Sequence, residues 1–526
     1  MIPGTLPALL ARRRDGGIAL LDRGRAISYV ELADESRRVA RGLRESGVRA
    51  GDAVAIWMPK VPAWLATFLA CAQLGAVAIC VNTRFRSHEL ADILGRSEAR
   101  ALVYWPGFRG IDFAGILAGC PAQALRSLDV VVEYGEDGTP GGPAAGIPGR
   151  RRLTYMELSG GPALEDPAAA SPDAGCAVFT TSGTTSAPKF VLHDQQTVVR
   201  HAFDVARGFD LGPGSVLLLA PPLCGVFGFC GALACLAAGR PFVMTPAWDP
   251  ARAVLDIATH KVTHLNATDE AFAQLLDVPG ADFSTLRVCG YAAFNPAHAD
   301  IVARADARGL ALVGLYGASE IQALFARQDE RAGAADRALA GGRPVHADAR
   351  VRARDPATGA VLPHGEAGEL EFFAPASRMV EYKGNPEATR RAFTDDGYYR
   401  SGDLGRTLAD GRFVFLARMG DSLRLAGFLV SPAEIEDAVQ EIPGISACQV
   451  VGVARRNGVV PVAFVILAAG ARLDEAAAIR HVASRLAPYK VPRRIVALDA
   501  FPVTPGANAT KIQKGRLREM AEALLH

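Results

Sequence analysis

Ten residues, Thr180 to Lys189 (TTSGTTSAPK), carry six hydroxyl side chains, a glycine and a terminal lysine. They follow Cys176-Ala177-Val178-Phe179, an apolar run that predicts a buried strand. A strand that empties into such a turn presents backbone N–H groups and hydroxyls together, with a cation at the far end. A polyphosphate needs that combination, many donors and a positive charge in a small space. The Walker spacing GxxxxGK[ST] is absent, which leaves a different kind of phosphate loop or a solvated Ser/Thr/Gly turn.

Four more constellations carry potential chemistry. Tyr316-Gly317-Ala318-Ser319-Glu320 follows the apolar run Leu310 to Leu315, a predicted strand. Tyr316 could stack on a flat base, and Glu320 could hold Mg²⁺, which favours one or two carboxylates plus phosphate oxygens. A core tyrosine with a helix N-terminal glutamate is the plainer alternative. Tyr399-Arg400-Ser401-Gly402-Asp403-Leu404-Gly405 places Asp403 in a Gly-flanked turn, where a carboxylate can accept hydrogen bonds from a ribose diol or simply close a turn. Arg418-Met419-Gly420-Asp421 leads through Gly427 to Ser431-Pro432-Ala433-Glu434. That last part predicts a helix start, with Ser431 as N-cap, Pro432 in the first turn and Glu434 closing a capping box. Asn508 to Arg518 sets Lys511 and Lys514 three residues apart, which also suits a solvated helix face.

The elements that must hold these residues read as α/β. Helix is predicted over Tyr29 to Ser46 and Ala63 to Leu74, strand over Ala53 to Met58 and Ala76 to Val81. Such alternation implies a sheet with crossover helices. Glu136 to Arg151 is a Gly/Pro-rich loop, and Gly359 to Phe373 predicts a hairpin. Val216 to Gly239 holds 24 uncharged residues. Pro221-Pro222 and three glycines interrupt it, so it predicts a buried strand (Val216 to Ala220), a turn and a buried helix (Phe227 to Ala238), not a membrane span.

At 526 residues the chain exceeds one core. The balance of 57 basic and 55 acidic residues argues against a nucleic-acid or anionic-membrane partner. Nine scattered cysteines, none in CxxC, read as reduced core thiols in a cytoplasmic protein without a thiolate metal site. The opening MIPGTLPALLARRR places its charges after its apolar run, the wrong order for a secretory signal.

In order and spacing the five segments resemble the adenylate-forming superfamily of acyl-CoA synthetases, peptide-synthetase adenylation domains and luciferases. The chain looks most like a stand-alone acyl-CoA synthetase of the fatty-acid–CoA ligase type. Ile27 to Leu32, Gly51 to Ile56, Gly341-Gly342-Arg343-Pro344 and Gly365 to Leu370 extend the resemblance over nearly the whole chain. It implies an α/β fold with a large N-terminal domain (1–417) of parallel and mixed sheets, flanking helices and a β-rich subdomain. A hinge (418–421) and a small mobile C-terminal lid (422–526) follow.

The implied chemistry joins a carboxylate to the α-phosphate of ATP, releases pyrophosphate, then passes the acyl group to the thiol of CoA and releases AMP. By match to the family motifs, Thr181, Ser182, Gly183, Thr184 and Thr185 would bind phosphates with Lys189 beside them. Tyr316, Gly317, Ala318 and Ser319 would meet the adenine side, and Glu320 would hold Mg²⁺. Asp403 would take the ribose hydroxyls with Arg418 assisting. Lys511, with Lys514 as runner-up, would bridge carboxylate and α-phosphate. Gly427 would line the CoA thiol channel, and Gly420 stands at the hinge where the family usually has Asp or Lys. Cys224 stands where histidine is common, Ser186 and Phe190 where glycine is usual or frequent, and Thr510 where glycine often precedes the lysine.

The resemblance also implies an acyl pocket from Val226, Phe227, Phe229, Tyr291, Ala292, Gly314 and Ile321. These lack charge, so a nonpolar acid is expected, with a medium- or long-chain fatty acid first and a benzoate or cinnamate second. A carrier protein as acceptor and a catalytically silent relative remain alternatives. Oligomeric state stays open between monomer and homodimer.

Overall fold

The computed structural model describes residues 2–13, 16–136, 138, 147, 149–165, 171–181, 188–294, 298, 300–356, 358–419, 423–426, 428–430, 432–456, 458–504 and 511–525. Within these, 417, 418, 424, 428, 429, 433, 503, 504 and 511 are described by backbone alone.

Local rules explain the first long helix, Tyr29–Glu45. The Ser28 side chain accepts the Glu31 N–H while the Glu31 carboxylate accepts the Ser28 N–H, a complete capping box. Its buried residues Tyr29, Leu32, Ser36, Val39, Ala40 and Leu43 recur every three or four positions, so one stripe faces the core. The next helix, Pro62–Leu74, is apolar on all sides and buried from Ala63 onward. It ends at Gly75, whose φ of 69° suits a residue without Cβ.

Two large sheets flank these helices. The eight-stranded sheet runs in space through Glu381–Tyr382, Lys189–Asp194, Gly175–Thr181, Val77–Cys80, Ala53–Trp57, Ala101–Tyr104, Val130–Glu133 and Arg151–Thr154. Its centre is parallel, and Gly175–Thr181 pairs antiparallel with Lys189–Asp194 on its other side. The thirteen-stranded sheet has a parallel part containing Leu217–Leu219, His264–Thr268, Val288–Ala292 and Leu312–Ala318. It continues as an antiparallel arm from Gln322–Arg327 to Arg350–Arg354. Helices Gln195–Gly208 and Val226–Ala238 share one hydrophobic core with both sheets.

The expected alternation is present, and Val226–Ala238 is a buried helix of 13 residues. Among the described residues no helix is long and apolar enough to cross a membrane. The hairpin expected within Gly359 to Phe373 does not form. Gly368–Phe373 pairs instead with the preceding Arg350–Arg354, and Val361 makes only an isolated bridge to Arg354. Cross-strand ion pairs settle this register, since Arg352 and Arg354 both bond the buried Glu371.

The C-terminal part is a separate small α/β unit. Ile445–Arg455 and Gly458–Leu467 pair antiparallel, and Arg494–Ala497 adds in parallel. Its own cores lie under helices Pro432–Gln440, Glu475–Arg485 and Lys514–Leu525.

Candidate active site

The phosphate-loop candidate leaves its strand at Thr181, which pairs across the ladder with Lys189. Ser182, Gly183, Thr184 and Thr185 lie outside the described residues. The residue after Lys189, Phe190, turns into the core, where Arg96 stacks 4.2 Å from its ring centroid and bonds the Pro188 carbonyl at 2.6 Å. That packing fixes where the loop returns.

Lys189 faces the opposite way. Its ammonium stands 4.6 Å from the ring centroid of Tyr382, a favourable cation–π position. The Tyr382 hydroxyl donates to Glu320 Oε1 at 2.7 Å. The end of the loop and the candidate metal carboxylate are thus joined through one tyrosine. Tyr382 is delivered by a short strand that pairs with Lys189–Asp194, opposite Val191. The Tyr382 bond takes Glu320 Oε1, which leaves Oε2 as a hard oxygen donor of the kind Mg²⁺ takes.

Tyr316 stands inside the Leu312–Ala318 strand, not past its end. Its hydroxyl donates to Asp403 Oδ2 at 2.7 Å, and its ring stacks on Phe372 and meets Phe413 edge-on, each with centroids 5.1 Å away. The structure therefore brings the second and third constellations into direct contact. Gly317 is needed by close approach, because a Cβ there would stand 2.6 Å from Ala323 Cα. Asp403 pairs in register with Arg418 on the neighbouring strand. The Arg418 and Lys511 side chains and residues Gly420 and Gly427 lie outside the description, while the Lys511 backbone pairs with Thr504.

The segment Ser319 to Leu324 is strained, with Gln322 at φ 63° and Leu324 at φ 61°. Two buried histidines hold it from behind. His193 Nε2 donates to the Ser319 carbonyl and His201 Nε2 to the Ala323 carbonyl, both at 2.7 Å. Burial drives His193 down to about 4, against the raising effect of its Ser319 bond. Burial and then the neighbouring His346 push His201 well down too. His201 Nδ1 meets His346 Nε2 at 3.0 Å, and His346 Nδ1 meets Asp204 Oδ2 at 2.6 Å. A carbonyl at one end and a carboxylate at the other only accept, so three links require three protons. Two neutral imidazoles carry two, hence the relay holds one more, as an imidazolium–carboxylate pair or its neutral equivalent.

At the acyl side, Val226 and Phe227 form the half-buried first turn of Val226–Ala238. Phe229 is fully buried edge-on to Phe68 and Phe179, at 4.9 and 5.0 Å. Ile321 is fully buried, and Gly314 lies where a Cβ would stand 2.1 Å from the Leu339 carbonyl oxygen. Tyr291 faces away from that helix, in the core on the opposite sheet face, and bonds the Ala338 carbonyl at 2.9 Å; Ala292 follows it at the strand end. The turn before the helix is held by Lys60, whose buried ammonium donates to the Leu219 and Ala220 carbonyls. Burial pushes that lysine down to about 7.

The model of the AMP-binding enzyme family matches residues 10–376, and that of the AMP-binding enzyme C-terminal domain matches 434–507. The chain belongs to the AMP-binding enzyme family. A feruloyl-CoA synthase from Amycolatopsis is 32% identical over 98% of both chains. The long-chain-fatty-acid–CoA ligase FadD13 of Mycobacterium tuberculosis is 28% identical over 94% of this chain and 93% of its own. The amide bond synthetase McbA from Marinactinospora thermotolerans superposes with a TM-score of 0.81 at 26% identity, over 98% and 99% of the two chains. As a family member the chain is an AMP-forming acid–thiol ligase, and the CoA ligases of this family use ATP and CoA.

Sequence reasoning missed Tyr382, His193, His201 and His346. Only Tyr382 had a local signal, an aromatic before the Gly384-Asn385 turn.

Proposed function

We propose that this enzyme activates a nonpolar carboxylic acid as its acyl-AMP and transfers it to CoA, with an aromatic acid favoured over an unbranched fatty acid. The contact chain Lys189–Tyr382–Glu320 carries the reading, because it joins a phosphate-side cation to the carboxylate that would hold Mg²⁺. A bound Mg²⁺ would neutralise charge on the phosphates. Tyr382 orients Glu320, and Lys189 supplies positive charge beside the β- and γ-phosphates. Asp403, fixed by the Tyr316 hydroxyl, accepts from the ribose hydroxyls, while exposed Gly317 and half-buried Ala318 leave the strand edge open to adenine. Lys511 meets the carboxylate and α-phosphate, and fixed cations and donors at a centre of changing charge supply most of the acceleration.

Our sequence reading put fatty acids first. The edge-to-face ring cluster of Phe229, Phe68 and Phe179, and the full-length similarity to a feruloyl-CoA synthase, support the aromatic class instead. The test is a pyrophosphate-release screen of cinnamates, benzoates and fatty acids with and without CoA. The reading expects highest kcat/KM on an aromatic acid and a CoA thioester product. Faster turnover of unbranched fatty acids overturns the aromatic preference.

A further inference from the structure

Asn266 is a polar residue in an apolar setting. It lies in His264–Thr268, paired in parallel with Leu219 on one side and Gly290 on the other, so the three share one sheet face. That face looks toward helix Val226–Ala238, since Leu219 Cδ1 stands 3.6 Å from where a Gly231 Cβ would be. A Cβ on Gly290 would stand 2.5 Å from Asn266 Oδ1 and 2.7 Å from Leu315 Cδ2. Glycine at 290 thus keeps the amide clear, with Leu315 as its flexible neighbour. Asn266 is 8% exposed, and its Oδ1 is buried with no hydrogen-bond partner. A buried amide oxygen left unpaired is costly, and such groups call for a reason.

We infer that Asn266 is a specificity-determining residue that hydrogen-bonds a hydroxyl on the body of the acid, which makes the preferred substrate a hydroxylated acid. This rests on the acid-activating reading above and refines its substrate class. A hydroxyl both donates and accepts, so it satisfies the amide in either orientation. An acid of the same shape without the hydroxyl leaves the amide unpaired, and sites built around such a bond discriminate strongly against that analogue. The hydrogen bond forms at the tail of the acid, away from the carboxylate, and no bond is made or broken there.

The test compares kcat/KM for matched acids, 4-hydroxycinnamate with cinnamate, 4-hydroxybenzoate with benzoate and an ω-hydroxy fatty acid with its parent. Wild type should favour the hydroxylated partner in at least one pair by about 10- to 100-fold. Asn266→Leu should remove that preference, bringing the kcat/KM ratio of hydroxylated to unsubstituted acid toward one. Asn266→Thr, which keeps one hydrogen-bonding group, should retain part of it. Wild type without a preference in any pair, or a preference that survives in Asn266→Leu, overturns the inference and leaves the ligase reading intact. Absence of acid-dependent pyrophosphate release from every acid overturns both. The wild-type ratio decides the question even where Asn266→Leu fails to fold.

Discussion

At the scale of single residues, Tyr382 does two jobs. Its ring sits under the Lys189 cation and its hydroxyl donates to Glu320. Tyr382→Phe keeps the ring and removes only the donor to a charged acceptor, a bond of about 1.5–3 kcal/mol. We expect kcat/KM for ATP to fall about 10- to 100-fold by pyrophosphate release, with the unfolding midpoint nearly unchanged. Lys60 makes a pH prediction. Its folded pKa of about 7 lies below its ordinary value of 10.5. Between those values the unfolded chain binds the extra proton, so stability rises with pH across that window and the cost is fully present below it. Wild type should gain thermal stability relative to Lys60→Met as pH rises from 7 toward 10. Parallel midpoint curves for the two proteins would contradict this.

At the scale of elements, the strained Ser319 to Leu324 segment is held in place by a strand and a helix from elsewhere in the chain. The Asp204–His346–His201 relay ends on the Ala323 carbonyl, three residues beyond Glu320. His346→Phe leaves the Asp204 carboxylate with Arg207 as its one ion-pair partner among the described residues. The expected loss is about 3 kcal/mol in denaturant unfolding, partly restored by adding Asp204→Asn; simple additivity of the two would refute the relay. None of this was legible in the sequence. Strands such as Ala53–Trp57 announced themselves by apolar runs between turn residues, and Tyr316, Glu320 and Asp403 by motif. His201 and His346 are 145 positions apart and Tyr382 and Glu320 are 62 apart. Spacing carries no signal at that range, and the periodicity that predicts an element does not say which distant element it will meet. The failed hairpin at Gly359 to Phe373 has the same cause, since Glu371 chose its partners by charge across strands.

At the scale of the whole molecule, one buried ammonium ties the C-terminal unit to the rest. Lys490 bonds Glu89, on helix Ser87–Ser97, at 2.6 Å and also bonds Glu434 of its own unit. Burial opposes that charge, yet Tyr489, Glu89 and Glu434 together hold the lysine above its ordinary value. Ala487 joins the hydrophobic core that includes Phe85 and Leu90. Removing the Glu89 charge cuts the link between the two parts and leaves the buried ammonium paired only within its own unit, with Glu434. Glu89→Gln should therefore raise amide exchange across 486–491 and change the ratio of thioester formation to adenylation, and unchanged exchange would refute the latch.

The central claim is that ATP, a carboxylic acid and the C-terminal lysine meet at the site built by Lys189, Tyr382 and Glu320. Acid-dependent exchange of labelled pyrophosphate into ATP measures that meeting directly, without CoA. Wild type should exchange label only when a suitable acid is present, Lys511→Ala and Glu320→Gln should each lose exchange by at least about 100-fold, and Lys514→Ala should keep it. Full exchange by Lys511→Ala, or none by wild type with any aromatic or fatty acid, would contradict the account.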